Sequence, residues 1–509
     1  MKTLLKQLRV EHWFLAGILL FTFLMRFPSL FEPFWYGDEG IFAAVARNLN
    51  FGGVLYLDAW DNKPPMIYLT YQAIFKFLGV SMFSLRLVTL IVVLATVAAI
   101  YEIGQTVMSA KKALIAAFIF GFLTSLRIIE GNLALTEIFM ILPISLAFLV
   151  VIKRNFDVRS LFIAGVLFAI ASLYKQVGVL EAAALGIYLF LMHIKVGKGI
   201  FDRKNVIDFF VKAGTLALGF FVVYLIVILY FLPKGLVDDY IFAAYTYYRI
   251  YLGESPRYAL LINILKFLPI VAAVVYGLWK VRVSHPGGGS KQLDIFHLLL
   301  LWMAFSFLGS YFSGRTYGHY LVQAAPALSL VLASITTKIK FQKEQVIFAI
   351  CFFLPLIFLT KILFTDFLSG GPLNQVKYWS NFLGYFGGAK STEDFNNFFD
   401  RNVNSIMAVS DYMKGIGIDG KSTYIWGDWP WLYAIADLKN PSRFVTSFHV
   451  FGVPIGKEEV ISDLVEKPPE FIIKPTTSIG YFKELELVLD ESYTLASKVD
   501  GVEIFVKNK

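Results

Sequence analysis

The sequence has little cysteine, little charge and no internal repeat. Its one cysteine, Cys351, has no second thiol to pair with, which excludes an intramolecular disulfide. Charged residues make up 16% of the 509 residues and hydrophobic residues 57%, with a mean hydropathy of +0.65. These values exclude an ordinary soluble domain and predict a polytopic α-helical membrane protein. The missing repeat argues against an inverted-repeat transporter.

The apolar segments predict about eleven transmembrane helices, because each is near the ~20 residues that cross a bilayer. The first follows a basic head without a clear cleavage site, which favours a retained signal anchor. The net charge of +9 comes from short Lys and Arg patches between the segments, so it indicates topology and argues against a nucleic-acid partner. The segments lie near 12–31, 83–106, 112–129, 137–152, 160–175, 177–194, 206–232, 259–280, 294–312, 318–337 and 344–367.

A further apolar segment, Met66–Gly79, decides the topology. It rises only ~21 Å as a helix and carries Lys76, so it is short for a span. If it does not cross, most Lys and Arg side chains fall on the N-terminal side of the membrane, as the positive-inside rule requires. We therefore predict a juxtamembrane or half-inserted helix begun by Pro64-Pro65, in a multi-pass protein of the plasma (inner) membrane with a cytoplasmic N-terminus.

The same parity places the C-terminal part outside the cytoplasm. We predict a transmembrane domain at 1–368, with an outer catalytic loop at 32–82, followed by a small extracytoplasmic α/β domain at 369–509. Strand-like pieces (STYIWG, PEFIIK, VEIFVK) alternate there with helical ones (DFNNFFDRNVNSIMAVSDYMK, KEEVISDLVE). The Gly-rich stretch 284–292 is interpreted as a flexible inner linker.

Two acidic positions fall on the predicted outer face. Asp38, beside Glu39, is a candidate general base that could take a proton from an incoming hydroxyl. Glu137 is a second acid that could orient an acceptor or tune Asp38. The alternative for both positions is helix capping, with Asp38 as one N-cap and Thr136 as the other, Glu137 being favoured by the helix dipole.

Four basic or titratable side chains share that face: Lys63, Lys175, Arg315 and His319. Each alone is consistent with a snorkelling residue or one that binds lipid headgroups. Together with an acid they fit the departure of a phosphate from a sugar carbon, because cations neutralise the charge that develops on the leaving phosphate.

Aromatic residues accompany these positions. Those in the Tyr-rich outer loop 233–258 are an interfacial belt or a cover over a lipid tail or sugar. Trp426, Trp429 and Trp431 are packing residues or a platform for an acceptor. The candidate acceptor or lipid contacts are Trp35, Tyr36, Tyr247, Tyr317 and Tyr320.

Several motifs in order resemble the polyprenyl-phosphate-sugar dependent glycosyltransferases of family 39, which include protein O-mannosyltransferases and lipid A aminoarabinose transferases. They are GDEGIFAAVARNL, DNKPPMIYLTYQAIFKFLGVSMFSLRL, LALTEIFM, GHYLVQAAPAL, TYIWGDWPWLYAIADLKNPSRF and PPEFIIK. The resemblance implies a C-type membrane fold and Asp38 as catalytic base, supported by Glu39. Glu137 is similar to a second acidic position where many relatives carry Asp.

The same resemblance implies a Lys63 contact with the lipid phosphate and a second phosphate-side patch at Arg315 and His319. The chain lacks the large carbohydrate-binding insert of eukaryotic protein mannosyltransferases, so the acceptor stays open between protein, lipid and glycan.

The leading hypothesis is an inverting transfer of a sugar from a polyprenyl-phosphate donor to an acceptor hydroxyl, without a required cofactor. A divalent metal at Asp38 and Glu137 is the less favoured case, since no His/Cys ligand cluster accompanies them. The alternatives are a lipid-linked sugar flippase or transporter without catalysis, and a sensor that captures glycans with residues 370–509.

Overall fold

The structure, a computed structural model, describes residues 10–193, 203–251, 267–277, 295–313, 315, 317–335, 373–418, 420–475 and 480–509. Within these residues five helices are long and apolar enough to cross a membrane, and three shorter apolar helices accompany them. The chain is therefore a membrane protein. The five are Val10–Phe31, Met82–Val107, Thr136–Lys153, Gln176–His193 and Arg203–Lys234, and the shorter ones Val158–Tyr174, Phe267–Gly277 and Ile295–Tyr311.

The predicted count of about eleven spans is not reached in the part of the chain that the structure describes. The 112–129 segment forms a helix only over Ala110–Leu123, and the 318–337 segment begins as a 3-10 helix. The doubtful segment is helical over Met66–Leu78, as predicted, and its side of the membrane stays a prediction. The predicted span 344–367, the linker 284–292 and Cys351 lie outside the described residues.

The helices of the described residues follow one another along the chain, with short 3-10 turns at several of their ends. They are α1 (Val10–Arg26), α2 (Gly37–Asn50), α3 (Met66–Leu78), α4 (Met82–Val107), α5 (Ala110–Leu123), α6 (Thr136–Lys153), α7 (Val158–Tyr174), α8 (Val179–His193), α9 (Arg203–Phe231), α10 (Val237–Ile241), α11 (Tyr248–Tyr251), α12 (Phe267–Gly277), α13 (Ile295–Tyr311), α14 (Ala325–Ile335), α15 (Leu373–Phe386), α16 (Thr392–Asn397), α17 (Asn402–Gly415), α18 (Trp431–Ile435), α19 (Ser447–Gly452), α20 (Gly456–Glu466) and α21 (Lys483–Ser492).

The chain divides into two compact units, each built from separate segments. The first unit comprises the described residues of Met1–Phe27, Thr89–Tyr230 and Glu254–Val376, and the second those of Pro28–Val88, Phe231–Gly253 and Lys377–Lys509. The second unit thus holds the first predicted outer loop as well as the C-terminal region. The predicted division at residue 368 concerns location relative to the membrane, and it stays a prediction.

Small residues and stacked aromatic rings hold the helices of the first unit together. A Cβ at Gly165 would lie 2.1 Å from the carbonyl oxygen of Leu216, and one at Gly219 would lie 2.1 Å from that of Phe162. Helices α7 and α9 therefore approach backbone to backbone, as small residues allow in membrane helices. The ring of Trp302 stacks on Phe148 with centroids 4.0 Å apart.

The C-terminal region carries a four-stranded mixed sheet, in the part of the chain where the sequence predicted strands alternating with helices. The strands are β1 (Thr423–Ile425), β2 (Phe471–Lys474), β3 (Tyr493–Val499) and β4 (Val502–Lys507), in the order β1-β2-β4-β3. Only the β1–β2 pair is parallel, with Tyr424 opposite Ile472. The three predicted strands are confirmed and β3 was missed, because this edge strand is mostly exposed and its residues YTLASKV do not alternate regularly between apolar and polar.

Three tryptophans of this region are packing residues, which settles one alternative. Trp426 packs against Phe451 and Phe482, and Trp429 and Trp431 are also buried. The Trp431 indole donates a hydrogen bond to the carbonyl of Tyr36 at 2.9 Å, which ties α18 to the chain before α2.

Gly40 permits the contact between α2 and α18, and its replacement is the first test of this packing. A Cβ at Gly40 would lie 2.8 Å from Trp431 Cδ1 and 2.9 Å from Pro430 Cγ, whereas one at Gly37 meets nothing within 4 Å. We expect Gly40→Ala to lower the free energy of unfolding by about 1–3 kcal/mol, because rigid rings must shift. Gly37→Ala, the control, should leave it unchanged or raise it by less than ~1 kcal/mol. Denaturant unfolding in detergent measures both, and equal values would contradict the proposed close approach.

Candidate active site

Asp38 lies in the first turn of α2, in the second unit. The N-cap position is occupied by Tyr36, whose side chain makes no capping bond, so the alternative that Asp38 is the N-cap is wrong. Its side chain is half-buried and has no hydrogen-bond partner among the described residues. Asp38 therefore presents a carboxylate that accepts no hydrogen bond from the described part of the chain.

Glu39, the next residue, is buried and held by Arg86 from α4. The guanidinium contacts both carboxylate oxygens, Nη1 with Oε1 and Nη2 with Oε2 at 2.9 Å. Nη2 also donates to Glu32 at 3.0 Å, and Glu32 accepts a further hydrogen bond of 2.6 Å from the hydroxyl of Tyr378. Bidentate pairing of this kind fixes orientation as well as charge. Glu39 is therefore held in a fixed orientation on the helix turn that carries Asp38.

Lys63 carries a cation that no carboxylate of the described residues pairs with. Its ammonium donates to Asn62 Oδ1 at 2.7 Å, and its backbone is held by the hydroxyls of Tyr56 and Tyr68. Burial lowers the pKa of Lys63, but Tyr248, Asp61 and Asp38 outweigh it, and the pKa stands well above its usual value. The Lys63 ammonium is therefore held in place and charged in the same unit as Asp38, and it forms no ion pair with a carboxylate of the described residues.

The segment before Lys63 is anchored to the C-terminal region within the second unit. Trp60 is buried, with its ring 5.1 Å from that of His449 and 5.0 Å from that of Tyr247. Asp61 lies 3.3 Å from His449 Nε2 and accepts a hydrogen bond of 2.7 Å from Tyr68. Burial lowers the pKa of His449, although Asp61 acts to raise it. These contacts fix the backbone that carries Lys63.

Glu137, Lys175 and His319 meet in the first unit. Lys175 Nζ lies 2.5 Å from Glu137 Oε1, and Thr136 donates to the other oxygen at 2.8 Å. His319 Nδ1 lies 2.5 Å from Glu130, with its Nε2 3.9 Å from Glu137. The N-cap of α6 is Leu135, so the capping alternative for Thr136 is wrong. Three of the residues that were predicted to share one face therefore lie together in the first unit, and their role stays a prediction.

This cluster differs from Lys63 because its charges are already compensated. The Lys175 and Glu137 side chains are 10% and 1% exposed, and each faces the opposite charge. Lys175 also lies 3.5 Å above the ring of Tyr320, and Tyr317 stacks on His319 with centroids 5.5 Å apart. A phosphate would compete here with resident carboxylates.

The remaining predicted site residues lie in varied surroundings. Trp35 is half-buried and its indole donates to Glu32 at 3.1 Å. Tyr36 offers its carbonyl to Trp431, whereas Tyr247 is buried in the core around Trp60, so its contact with an acceptor or lipid stays a prediction. Arg315 is half-buried, and its backbone amide donates to Ser313 at 3.2 Å.

Charged residues near the apolar segments have partners that the sequence did not reveal. Arg26 donates to the carbonyls of Thr124 and Gly131, both at 2.7 Å. Glu102 pairs with Lys153 at 2.5 Å, at an exposed position. Glu181 is buried and accepts from Ser306 and Gln323, both at 2.9 Å, which makes it a packed polar cluster within the first unit.

Sequence reasoning missed four residues that hold the surroundings of Glu39 and Lys63 in place: Glu32, Asp61, Tyr378 and His449. Asp61 stands two residues before Lys63, and that proximity was an available signal. Tyr378 and His449 lie more than 300 residues from the groups they contact, and nothing in their local sequence marks them.

Comparison with known proteins finds a family model and solved structures that are similar to this chain. Residues 62–226 match the family model described as dolichyl-phosphate-mannose-protein mannosyltransferase. The solved structure of ArnT from Cupriavidus metallidurans, bound to undecaprenyl phosphate, is similar with a TM-score of 0.54 and 12% identity over 98% of both chains. The resemblance to the family 39 membrane glycosyltransferases is confirmed.

The archaeal oligosaccharyltransferase AglB from Archaeoglobus fulgidus, in complex with an inhibitory peptide and a dolichol-phosphate, is also similar, at 13% identity and a TM-score of 0.45. That match covers 91% of this chain and 69% of AglB. No curated protein matches the chain in sequence. At 12% identity the ArnT structure shows the fold alone, and the family model covers the region from Asn62 to Ile226.

Pairing of Lys175 with Glu137 can be tested by a double-mutant cycle. We expect Lys175→Met to cost about 3–5 kcal/mol of unfolding free energy, because it leaves Glu137 buried without its cation. Lys175→Met with Glu137→Gln should recover much of that loss. Lys153→Met, which breaks an exposed pair, serves as the control and should cost less than ~1 kcal/mol. Unfolding in detergent measures these three variants and Glu137→Gln alone, which completes the cycle, and a double variant no more stable than Lys175→Met would refute the pairing.

Proposed function

We propose that the chain is an inverting glycosyltransferase that moves a sugar from a polyprenyl-phosphate donor to an acceptor hydroxyl. The observation that carries the proposal is the contrast between Asp38, whose carboxylate is free of hydrogen bonds among the described residues, and the buried, fixed Glu39 beside it. A free carboxylate on a fixed helix turn meets the requirements of a general base.

In the proposed reaction Asp38 takes the proton of the acceptor hydroxyl while the oxygen of that hydroxyl attacks C1 of the sugar. The new C1–O bond forms on the face opposite the phosphate, and the bond between C1 and the phosphate oxygen breaks. The electron pair leaves with the phosphate, giving polyprenyl phosphate. Asp38 then returns its proton to water. A phosphate leaving group needs no proton, so one base is sufficient and we propose no cofactor.

Lys63 is the proposed principal contact of the leaving phosphate. Its ammonium forms no ion pair with a carboxylate among the described residues, so a phosphate could pair with it without displacing one. Lys175, His319 and Arg315 are proposed as further phosphate contacts, and the first two must first leave their carboxylates. Glu137 is proposed as a second acid that orients this group.

The similarity to ArnT, which was solved with undecaprenyl phosphate, supports a polyprenyl-phosphate donor. We further propose that transfer occurs on the extracytoplasmic face of the plasma membrane, with the N-terminus cytoplasmic. The charge distribution supports this orientation. A flippase would move the donor without consuming it, so release of polyprenyl phosphate separates the two functions.

Asp38→Asn tests the base. We expect sugar transfer to fall by at least about 10²-fold, because amides cannot accept the proton, while donor binding is retained. The assay follows labelled sugar from a panel of polyprenyl-phosphate sugars and the polyprenyl phosphate released. Asp411→Asn, at an exposed position on α17, is the control. Undiminished turnover by Asp38→Asn would overturn the assignment.

Lys63→Met tests the phosphate contact. Loss of a charge-assisted hydrogen bond, worth about 1.5–3 kcal/mol, should weaken the binding of polyprenyl phosphate by roughly 10–150-fold. Lys63→Arg keeps the charge and should retain more of the affinity. Lys76→Met removes an exposed lysine of the neighbouring α3 and is the matched control. Equal affinities for Lys63→Met and Lys76→Met would remove Lys63 from the site.

A further inference from the structure

A polar cavity of about 600 Å³ lies within the second unit, and neither Asp38 nor Lys63 lines it. One wall is formed by the C-terminal end of α2 and the turn after it, from Asn48 to Asp58. The opposite wall comes from residues 439–443 and from α20 with the residue after it. Its volume falls in the range of about 300–1,000 Å³ that is common for small-molecule sites.

The walls are held in place by their own hydrogen bonds. Asn48 donates to the carbonyl of Asp58 at 3.0 Å, and the Asp58 carboxylate accepts from the amide of Val54 at 2.7 Å. On the other wall, Asn440 donates to the carbonyl of Phe444 at 2.7 Å. A cavity with fixed walls requires little ordering when a ligand enters, which favours affinity.

The charges of the lining are balanced. Arg443 is committed to Glu459, with Nη2 2.8 Å and Nε 2.6 Å from its two carboxylate oxygens. The remaining charges of the lining are the cations of Lys439 and Lys467 and the carboxylates of Asp58 and Asp463, which are equal in number. Burial raises the pKa of Asp463, although Ser442, Lys467 and Arg443 act to lower it. Balanced charge gives little attraction for an anion or a metal ion, and it leaves a mixture of donors and acceptors.

We propose that this cavity binds a short, uncharged saccharide, which is the glycan portion of the acceptor. Sugar hydroxyls both donate and accept hydrogen bonds, so they match a lining of ammonium, carboxylate, amide and hydroxyl groups. Phe51 and Leu57 supply apolar surface for the faces of sugar rings. Identification of the saccharide as acceptor rests on the proposed function, whereas the binding does not.

The full-length protein with Asp38→Asn, purified in detergent, provides the binding test, because it separates binding from turnover. Fluorescently labelled neutral oligosaccharides are titrated without donor, and a phosphorylated oligosaccharide forms a second arm. In this background we expect Asp463→Ala to weaken neutral saccharide binding by about tenfold or more, as lost hydrogen bonds to hydroxyls do. Ser422 also lines the cavity. Ser422→Trp would place a bulky ring inside the cavity and should abolish binding. Glu458→Ala, which removes an exposed carboxylate of α20 outside the lining, is the control.

Three outcomes would overturn the proposal: no neutral oligosaccharide binds, only the phosphorylated one binds, or Asp463→Ala and Ser422→Trp bind as the control does. Lys439→Ala, at an exposed position of the lining, is a second polar variant if Asp463→Ala fails to fold. With active protein, Asp463→Ala should raise KM for the glycan acceptor at unchanged kcat. Loss of transfer with saccharide binding intact would count against the proposed function and not against the cavity.

Discussion

Arg86 lies buried between Glu32 and Glu39, and its guanidinium neutralises carboxylates that would otherwise repel each other inside the protein. Removing water from these charges is costly, so the pairing holds only with good geometry and with additional hydrogen bonds, such as that from Tyr378. The pairing fixes Glu39 on the first turn of α2, and the turn fixes Asp38. The orientation of the candidate base therefore depends on an ion pair in which it takes no part.

The cations that the sequence analysis grouped together differ in whether a carboxylate of the protein pairs with them. Lys63 keeps its charge available, whereas Lys175 and His319 face Glu137 and Glu130. A ligand phosphate at Lys63 gains an interaction without breaking one, and at Lys175 it must displace a carboxylate. Residue type alone cannot distinguish these cases, because the distinction depends on which acid lies beside each cation.

The sequence predicted what depends on composition and local pattern. Apolar length located most helices, the Pro64-Pro65 pair located the start of α3, and alternation located three of the four strands. Motif resemblance selected Asp38, Lys63 and Glu137 as candidate site residues, and their roles stay predictions. It could not supply the partners of Arg26, Arg86 and Glu181, since these come from distant segments. The N-caps considered for α2 and α6 were also wrong. Asp and Thr are favoured at N-caps, but the N-cap of α2 lies two residues before Asp38 and that of α6 lies one residue before Thr136.

The contact between Gly40 and Trp431 joins residues that are almost 400 positions apart. A ribosome adds residues in order, and domains generally fold as their parts emerge. Helix α2 is therefore made almost 400 residues before the indole that packs on it. The nascent chain must carry its candidate catalytic loop through the synthesis of those intervening residues, so the second unit cannot be complete until Trp431 has been added.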